Sequence, residues 1–172
     1  MSIELDPIGY VHSSRNEVRD DDWDRETARI TLDAERYSSD ALAGLDTFSH
    51  VEVVYFFDRV QPEKIEVGAR HPRGNHELPL VGIFAQRGKD RLNRLGLTIA
   101  RVLRVDGLTV HLSGLDAIDG TPVLDLKPFM AEFGPRGDLR QPDWATDLMK
   151  NYWTSQSLPA ASNATSCVVL PR

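Results

Sequence analysis

Apolar residues in this chain fall in short runs separated by turn-forming residues, and most of the runs favour strand over helix. Ile8-Gly9-Tyr10-Val11 is a short β-prone run, and Ala28-Arg29-Ile30-Thr31-Leu32 alternates apolar and polar positions as a half-buried strand does. His50 to Phe57 is continuous and rich in Val, Tyr and Phe, which predicts a central strand buried on both faces. Leu80 to Ala85 predicts another strand. Leu97 to Val105 and Leu108 to Leu112 flank Asp106-Gly107, the strongest short hairpin signal. A second Asp-Gly, Asp119-Gly120, separates Leu115-Asp116-Ala117-Ile118 from Val123-Leu124-Asp125-Leu126.

Helical signals are few. Ser38 to Leu45 offers an N-cap, a short turn and a glycine stop at Gly44. Residues 61–79, rich in Pro, Gly, His and Arg, read as a long loop. Asp143 can cap a short helix bearing Trp144, Leu148, Met149, Tyr152 and Trp153, whose aromatic surface predicts packing on the rest of the domain or on a partner subunit. Residues 154–166 read as a mobile tail, and Val168-Val169-Leu170 as a late strand or docking segment. About seven short strands with one or two short helices predict an all-β domain. Closure into a mostly antiparallel β-barrel would remove the sheet edges. The expected division is a β-barrel domain over residues 1–133 and an extension over 134–172 with a short helix and a flexible tail.

Composition changes this picture little. A chain of 172 residues with 41% hydrophobic content suits one domain. No apolar run approaches the ~20 residues of a membrane span. The acidic stretch Met1 to Pro7 lacks an apolar core, so no secretory leader is expected. Cys167 stands alone, which argues against an intrachain disulfide and for a cytoplasmic, reduced setting. Charge changes the picture more. The net charge of −6 excludes a chain-wide basic surface. Residues 1–50 hold twelve acids against five bases, whereas residues 59–104 hold ten bases against four acids. Two solvated faces and a local basic site are both compatible with that split.

The chemistry-bearing residues follow the basic middle. There is no Gly-x-Gly-x-x-Gly, P-loop or Gly-x-Ser-x-Gly motif. His71 and His76 share a loop, but their spacing fits no standard zinc pattern and no metal is expected. The loop from Arg87 to Gly96 gathers Arg87, Lys89, Arg91 and Arg94 around Gly88 and Asn93. Guanidinium forks suit carboxylate or phosphate, and glycines let backbone amides approach a ligand. A solvated basic loop is the plain alternative. Asp116, Asp119 and Asp125 occupy apolar-flanked positions, read as turn and pairing residues or as the polar rim of a ligand pocket.

Five blocks together resemble the TsaA-like (YaeB/TrmO) family of S-adenosylmethionine-dependent tRNA methyltransferases, as a short single-domain branch. They are Ile8 to Ser13, Gly44 to Val51, Gly82 to Arg87, Arg91 to Gly96, and Gly114 to Pro128 with its Gly-Leu-Asp-Ala-Ile-Asp-Gly-Thr-Pro core. The match runs in order over about residues 7–130. The resemblance implies a mostly antiparallel barrel that binds S-adenosyl-L-methionine, with a homodimer placing the cofactor near the subunit interface. It further implies methylation of the exocyclic nitrogen of threonylcarbamoyl-adenosine in tRNA.

Carried onto this chain, the resemblance places cofactor contacts at Asp58, Arg59, Arg87, Leu97, Asp116, Ala117, Ile118 and Asp119. The stretch Arg91-Leu92-Asn93-Arg94 matches the family's Arg-Pro-Asn-Pro run, and Lys89, Arg91, Asn93 and Arg94 are the expected substrate contacts. Arg70 and Arg73 join Lys89, Arg91 and Arg94 as expected phosphate contacts if the acceptor is RNA. Asp116 and Asp119 are the candidate catalytic carboxylates, to accept a proton or to orient donors.

The chain departs from the family in Gly88-Lys89-Asp90, in Leu92 and Arg94 where prolines are usual, and in Asp58 where histidine is common. The family's Pro-Arg-Gln contact has no clean match; the nearest region is Glu17 to Asp21. Three readings follow: a tRNA methyltransferase, a cofactor-binding sensor without catalysis, and a methyltransferase for a small metabolite.

Overall fold

A computed structural model of the chain describes residues 3–153. Six strands close into one antiparallel barrel in the order β1, β2, β7, β6, β3, β8. They are β1 (Gly9–Ser13), β2 (Thr27–Leu32), β3 (His50–Phe56), β6 (Leu95–Asp106), β7 (Thr109–Ser113) and β8 (Pro122–Pro128). The two remaining strands, β4 (Ala69–Arg70) and β5 (Val81–Gly82), form a separate two-stranded ribbon. The expected β-barrel class is therefore the observed one. Among the described residues the helical content is short 3-10 turns and one α-helix, α1 (Asp143–Met149).

The barrel interior is aliphatic. Val11, Ile30, Val51, Val53, Ala100, Val110, Leu112 and Val123 are fully buried, each on the inward parity of its strand. Burying a side chain of this size stabilises by about 1.5–3 kcal/mol. Strand β3 departs from expectation. Its positions alternate between buried and half-buried, so only one face enters the core. In a closed barrel the other face of every strand points outward, and Val54 and Phe56 are apolar there because the neighbouring Leu95 and Leu97 of β6 are apolar too.

Other local expectations shift for physical reasons. Leu80 to Ala85 contributes only the two-residue β5, after which Ile83–Ala85 turns in a 3-10 helix. The loop over residues 61–79 contains β4, which pairs with β5. In the β6–β7 hairpin Asp106 pairs with Thr109, so the connecting pair is Gly107-Leu108, with Gly107 at φ 57°. Ser38 makes no capping hydrogen bond, its hydroxyl bonding Asp40 instead. The cap of α1 is Pro142, and Asp143 is the first helical residue. Cys167, the tail over 154–166 and Val168 to Leu170 lie outside the described residues.

Topology sends three connections to one end of the barrel: residues 14–26, 57–94 and 114–121. The strand ends that bear them are neighbours, as the pairs Ser13–Ala28, Thr27–Ser113, Tyr55–Val123 and Phe56–Leu95 show. The chain leaves β8 at the opposite end and returns, so that residues 151–153 pair with 22–24. Asp22, Trp23 and Asp24 donate their amides to the carbonyls of Asn151, Tyr152 and Trp153 at 3.1–3.2 Å.

Candidate functional site

The loop-bearing end is organised around Asp116. The connection from β7 to β8 sinks Leu115 and Ala117 into the core, which turns the intervening Asp116 across the barrel mouth. Tyr55 donates to Asp116 Oδ1 at 2.8 Å and to its carbonyl at 3.1 Å. Thr98 donates to the same Oδ1, and Tyr152 donates to Oδ2. The carboxylate thus holds three hydroxyl donors from β3, β6 and the returning segment. Gly96 makes room for this arrangement. It pairs with Tyr55 across β3 and β6, and a Cβ there would fall within the Tyr55 ring.

Both phenols are perturbed. Burial pushes the Tyr55 hydroxyl well above the ordinary phenol range, and the charge of Asp116 adds to it. Tyr152 is raised by the same two causes in the same order, with Asp20 adding and Arg87 opposing. Those charges place Tyr152 amid groups from all three connections. The Arg73 guanidinium lies 6.0 Å from its ring and is paired with Asp21 at 2.9 Å and Asp20 at 3.6 Å.

Arg15, like Tyr55 and Thr98, is a residue that sequence reasoning missed. It is 6% exposed, and its guanidinium lies 3.6 Å from the centroid of the Trp23 ring. One nitrogen donates to the carbonyls of Arg19 and Asp21 at 2.8 and 2.9 Å, while Nε and the other terminal nitrogen are buried without a partner. Burial, and then the charge of Arg19, lowers its pKa. Only its neighbourhood to the acidic loop could have signalled it, and nothing in one sequence marks an arginine as buried.

The expected cofactor residues separate into groups. Arg87 donates to the Leu97 carbonyl at 2.6 Å, which joins two of them beside Asp116 and Tyr152. Arg59 donates to the Asp119 carbonyl at 3.1 Å and to Asn16 at 3.0 Å. Asp119 Oδ1 accepts the Ser13 amide at 3.0 Å, so this carboxylate fixes a turn between two loops. Asp58 sits on the exposed turn after β3. Ala117 is core, and Ile118 is half-buried, its carbonyl accepting the Thr121 amide.

The expected substrate and phosphate contacts are largely engaged within the loops. Arg91 donates to the carbonyls of Gln86 and Ile83 at 2.6 and 3.2 Å. Arg94, at φ 51°, donates to Val60 and lies 4.4 Å from the Phe56 ring. Arg70 pairs with buried Asp90 at 2.6 Å, and Lys89 approaches the same carboxylate at 3.9 Å. Asn93 is exposed. Among the described residues no cluster of three metal-ligating side chains occurs, and no helix is long and apolar enough to cross a membrane.

Comparison with known proteins places this geometry. A family model described as the tRNA-methyltransferase O N-terminal domain matches residues 14–134. The human tRNA (adenine(37)-N6)-methyltransferase is 31% identical over 174 residues, covering 96% of this chain and 39% of its own length. A protein of Methanothermobacter thermautotrophicus named as a probable S-adenosyl-L-methionine-binding protein is 31% identical over 141 residues, covering 80% of this chain and 97% of its own length. The crystal structure of TrmO from Pseudomonas aeruginosa superposes with a TM-score of 0.64 at 27% identity, over 81% of this chain and 62% of that one. The chain spans less than half the length of the mammalian relatives it matches. With the closed barrel and the matched residues in agreement, the chain belongs to the tRNA-methyltransferase O N-terminal domain family.

Proposed function

We propose that this protein binds S-adenosyl-L-methionine at the Asp116 end of the barrel and transfers its methyl group to the exocyclic nitrogen of adenosine in tRNA, with threonylcarbamoyl-adenosine as the acceptor. The observation that carries the reading is the family match over residues 14–134, which contains Arg15, Tyr55, Arg87, Leu97, Thr98 and Asp116.

The donor set suits the cofactor. Its ammonium needs an anion, which Asp116 supplies, and its carboxylate needs a cation. Of the guanidiniums at this end, Arg87 lies against the Leu97 carbonyl beside Tyr152, and Arg15 carries buried N–H groups that lack an acceptor. The Leu97 carbonyl, already aligned by Arg87, offers an acceptor for an adenine amino group. Bound there, the cofactor supplies an electrophilic methyl group. The chain's own residues bind and align. Tyr55, Thr98 and Tyr152 hold Asp116 in one orientation, and the pairing of 22–24 with 151–153 fixes the segment that carries Tyr152. Asp116, the carboxylate nearest those groups, is also the group to take the proton released from the acceptor nitrogen. Asp119 positions the loop through Ser13.

The reading extends to a cytoplasmic homodimer. Leu95, Leu97 and Ile99 are exposed along the outer face of β6, and Phe84 is 84% exposed nearby in sequence to Arg87. A second copy covering this stripe would enclose the Arg87–Leu97 contact. Incubation with methyl-labelled cofactor and total tRNA tests the reading: label enters tRNA with the wild type and is lost with Arg87→Ala. One observation favours a second reading. The archaeal relative matched over 97% of its own length bears a name for binding alone. Tight cofactor binding without transfer to tRNA would select it.

A further inference from the structure

The outer wall of the barrel carries a row of two arginines and two histidines that the loop site does not use. Cross-strand register aligns His12 of β1 with Arg29 of β2, Arg29 with His111 of β7, and His111 with Arg104 of β6. Their chain neighbours Val11, Ile30, Val110 and Leu112 point into the core, so all four of these side chains point outward. Arg104 reaches this face through a bulge. The β6–β7 register shifts between Val102 and Arg104, and the extra residue, Leu103, leaves Arg104 on outward parity. Arg101 lies one row along, opposite Ser113 and His50.

A groove of about 420 Å³ runs along the row, lined among others by His12, Ser13, Ser14, Arg29, Leu103 and His111. Asp119 also lines it, with Oδ1 turned to the Ser13 amide. Arg104 is partly neutralised by Asp106 at 3.2 Å. Among the described residues Arg29, Arg101, His12 and His111 have no side-chain hydrogen-bond or ion-pair partner. The contrast with the basic loops is the point. There, Arg70, Arg73, Arg91 and Arg94 have their guanidiniums engaged by carboxylates and carbonyls of the chain itself.

We infer that the outer wall of β1, β2, β7 and β6, through Arg29, Arg101, Arg104, His12 and His111, is a docking surface for the phosphodiester backbone of RNA. Strands ~4.8 Å apart give the four-member row a length of roughly 14 Å, more than a single phosphate bridges. Side chains of this kind contact phosphate and sugar without reading sequence. The inference rests on the proposed tRNA function and names the face that would hold the acceptor while the barrel end performs the chemistry.

The test is titration of the full chain with total tRNA across a salt series, in the wild type, in Arg29→Gln/Arg104→Gln, and in a Lys127→Gln control on β8. Both row arginines are exposed, so the melting temperature and cofactor affinity are expected to stay unchanged. The double variant is expected to bind tRNA about tenfold more weakly, with a log–log salt slope shallower by roughly two. The control is expected to match the wild type. Unchanged affinity and slope in the double variant would overturn the surface, as would a wild type that binds no tRNA. A wild type that methylates tRNA while the double variant binds it normally leaves the function standing and removes the surface. A wild type that binds through the row but transfers no methyl group does the reverse.

Discussion

The Tyr152 hydroxyl donates to Asp116 Oδ2 across 36 residues of sequence, linking a segment beyond the family domain to the carboxylate at the centre of the barrel mouth. A hydrogen bond to a charged group contributes about 1.5–3 kcal/mol. Tyr152→Phe is expected to lower the melting temperature by roughly 4–8 °C. It should also speed amide exchange at Asp22, Trp23 and Asp24, whose hydrogen bonds to residues 151–153 depend on that anchor. Unchanged exchange at those three amides would show that the side chain does not hold the segment.

The same contact sets a pH dependence. Tyr152 has its folded-state pKa raised, so the stability it contributes is fully present below the ordinary phenol value of about 10 and is lost progressively as pH rises from there through the higher folded value. The wild-type minus Tyr152→Phe difference in phenolate absorbance is expected to show no step near pH 10 while the protein stays folded. A Tyr152 step at about pH 10 would contradict the buried, carboxylate-bonded phenol.

Gly96 is expected to tolerate no side chain. Alanine there overlaps the Tyr55 ring, and overpacking of this kind costs about 1–3 kcal/mol. The denaturant midpoint should fall for Gly96→Ala. Cofactor affinity should fall with it, because Tyr55 is one of the donors that orient Asp116. A Gly96→Ala protein with the wild-type midpoint would mean that Tyr55 lies elsewhere.

Arg15 separates binding from stability. Arg15→Met keeps an unbranched side chain over Trp23 while removing a buried cation with two unpaired nitrogens. Stability is expected to hold or rise by about 1 kcal/mol, whereas cofactor affinity should drop at least tenfold, measured by calorimetry. Wild-type affinity in Arg15→Met would exclude the guanidinium from the cofactor site.

How much of this was legible in the sequence depends on the range of the interaction. Strands β2, β7 and β8 announce themselves because alternation and Asp-Gly turns are local signals. The two-faced burial expected for β3 fails because barrel closure, a property of all six strands, leaves its outer face beside apolar β6 residues. The Gly114 to Pro128 motif marked Asp116, yet its donors Tyr55, Thr98 and Tyr152 come from 18 to 61 residues away and carry no mark of their own. The basic loop pointed to RNA, but its arginines find carbonyls and carboxylates within the fold. The outward-facing Arg29, Arg101 and Arg104 stand instead on strands whose alternation gave no hint that they share one face.

The central claim is transfer of a methyl group to adenosine in tRNA. Total tRNA treated with the protein and methyl-labelled S-adenosyl-L-methionine, digested to nucleosides and resolved by mass spectrometry, tests it most directly. The account predicts label on the exocyclic nitrogen of threonylcarbamoyl-adenosine, absent with Arg87→Ala. Cofactor bound stoichiometrically with no methylated nucleoside in the digest would contradict it and leave a binding protein.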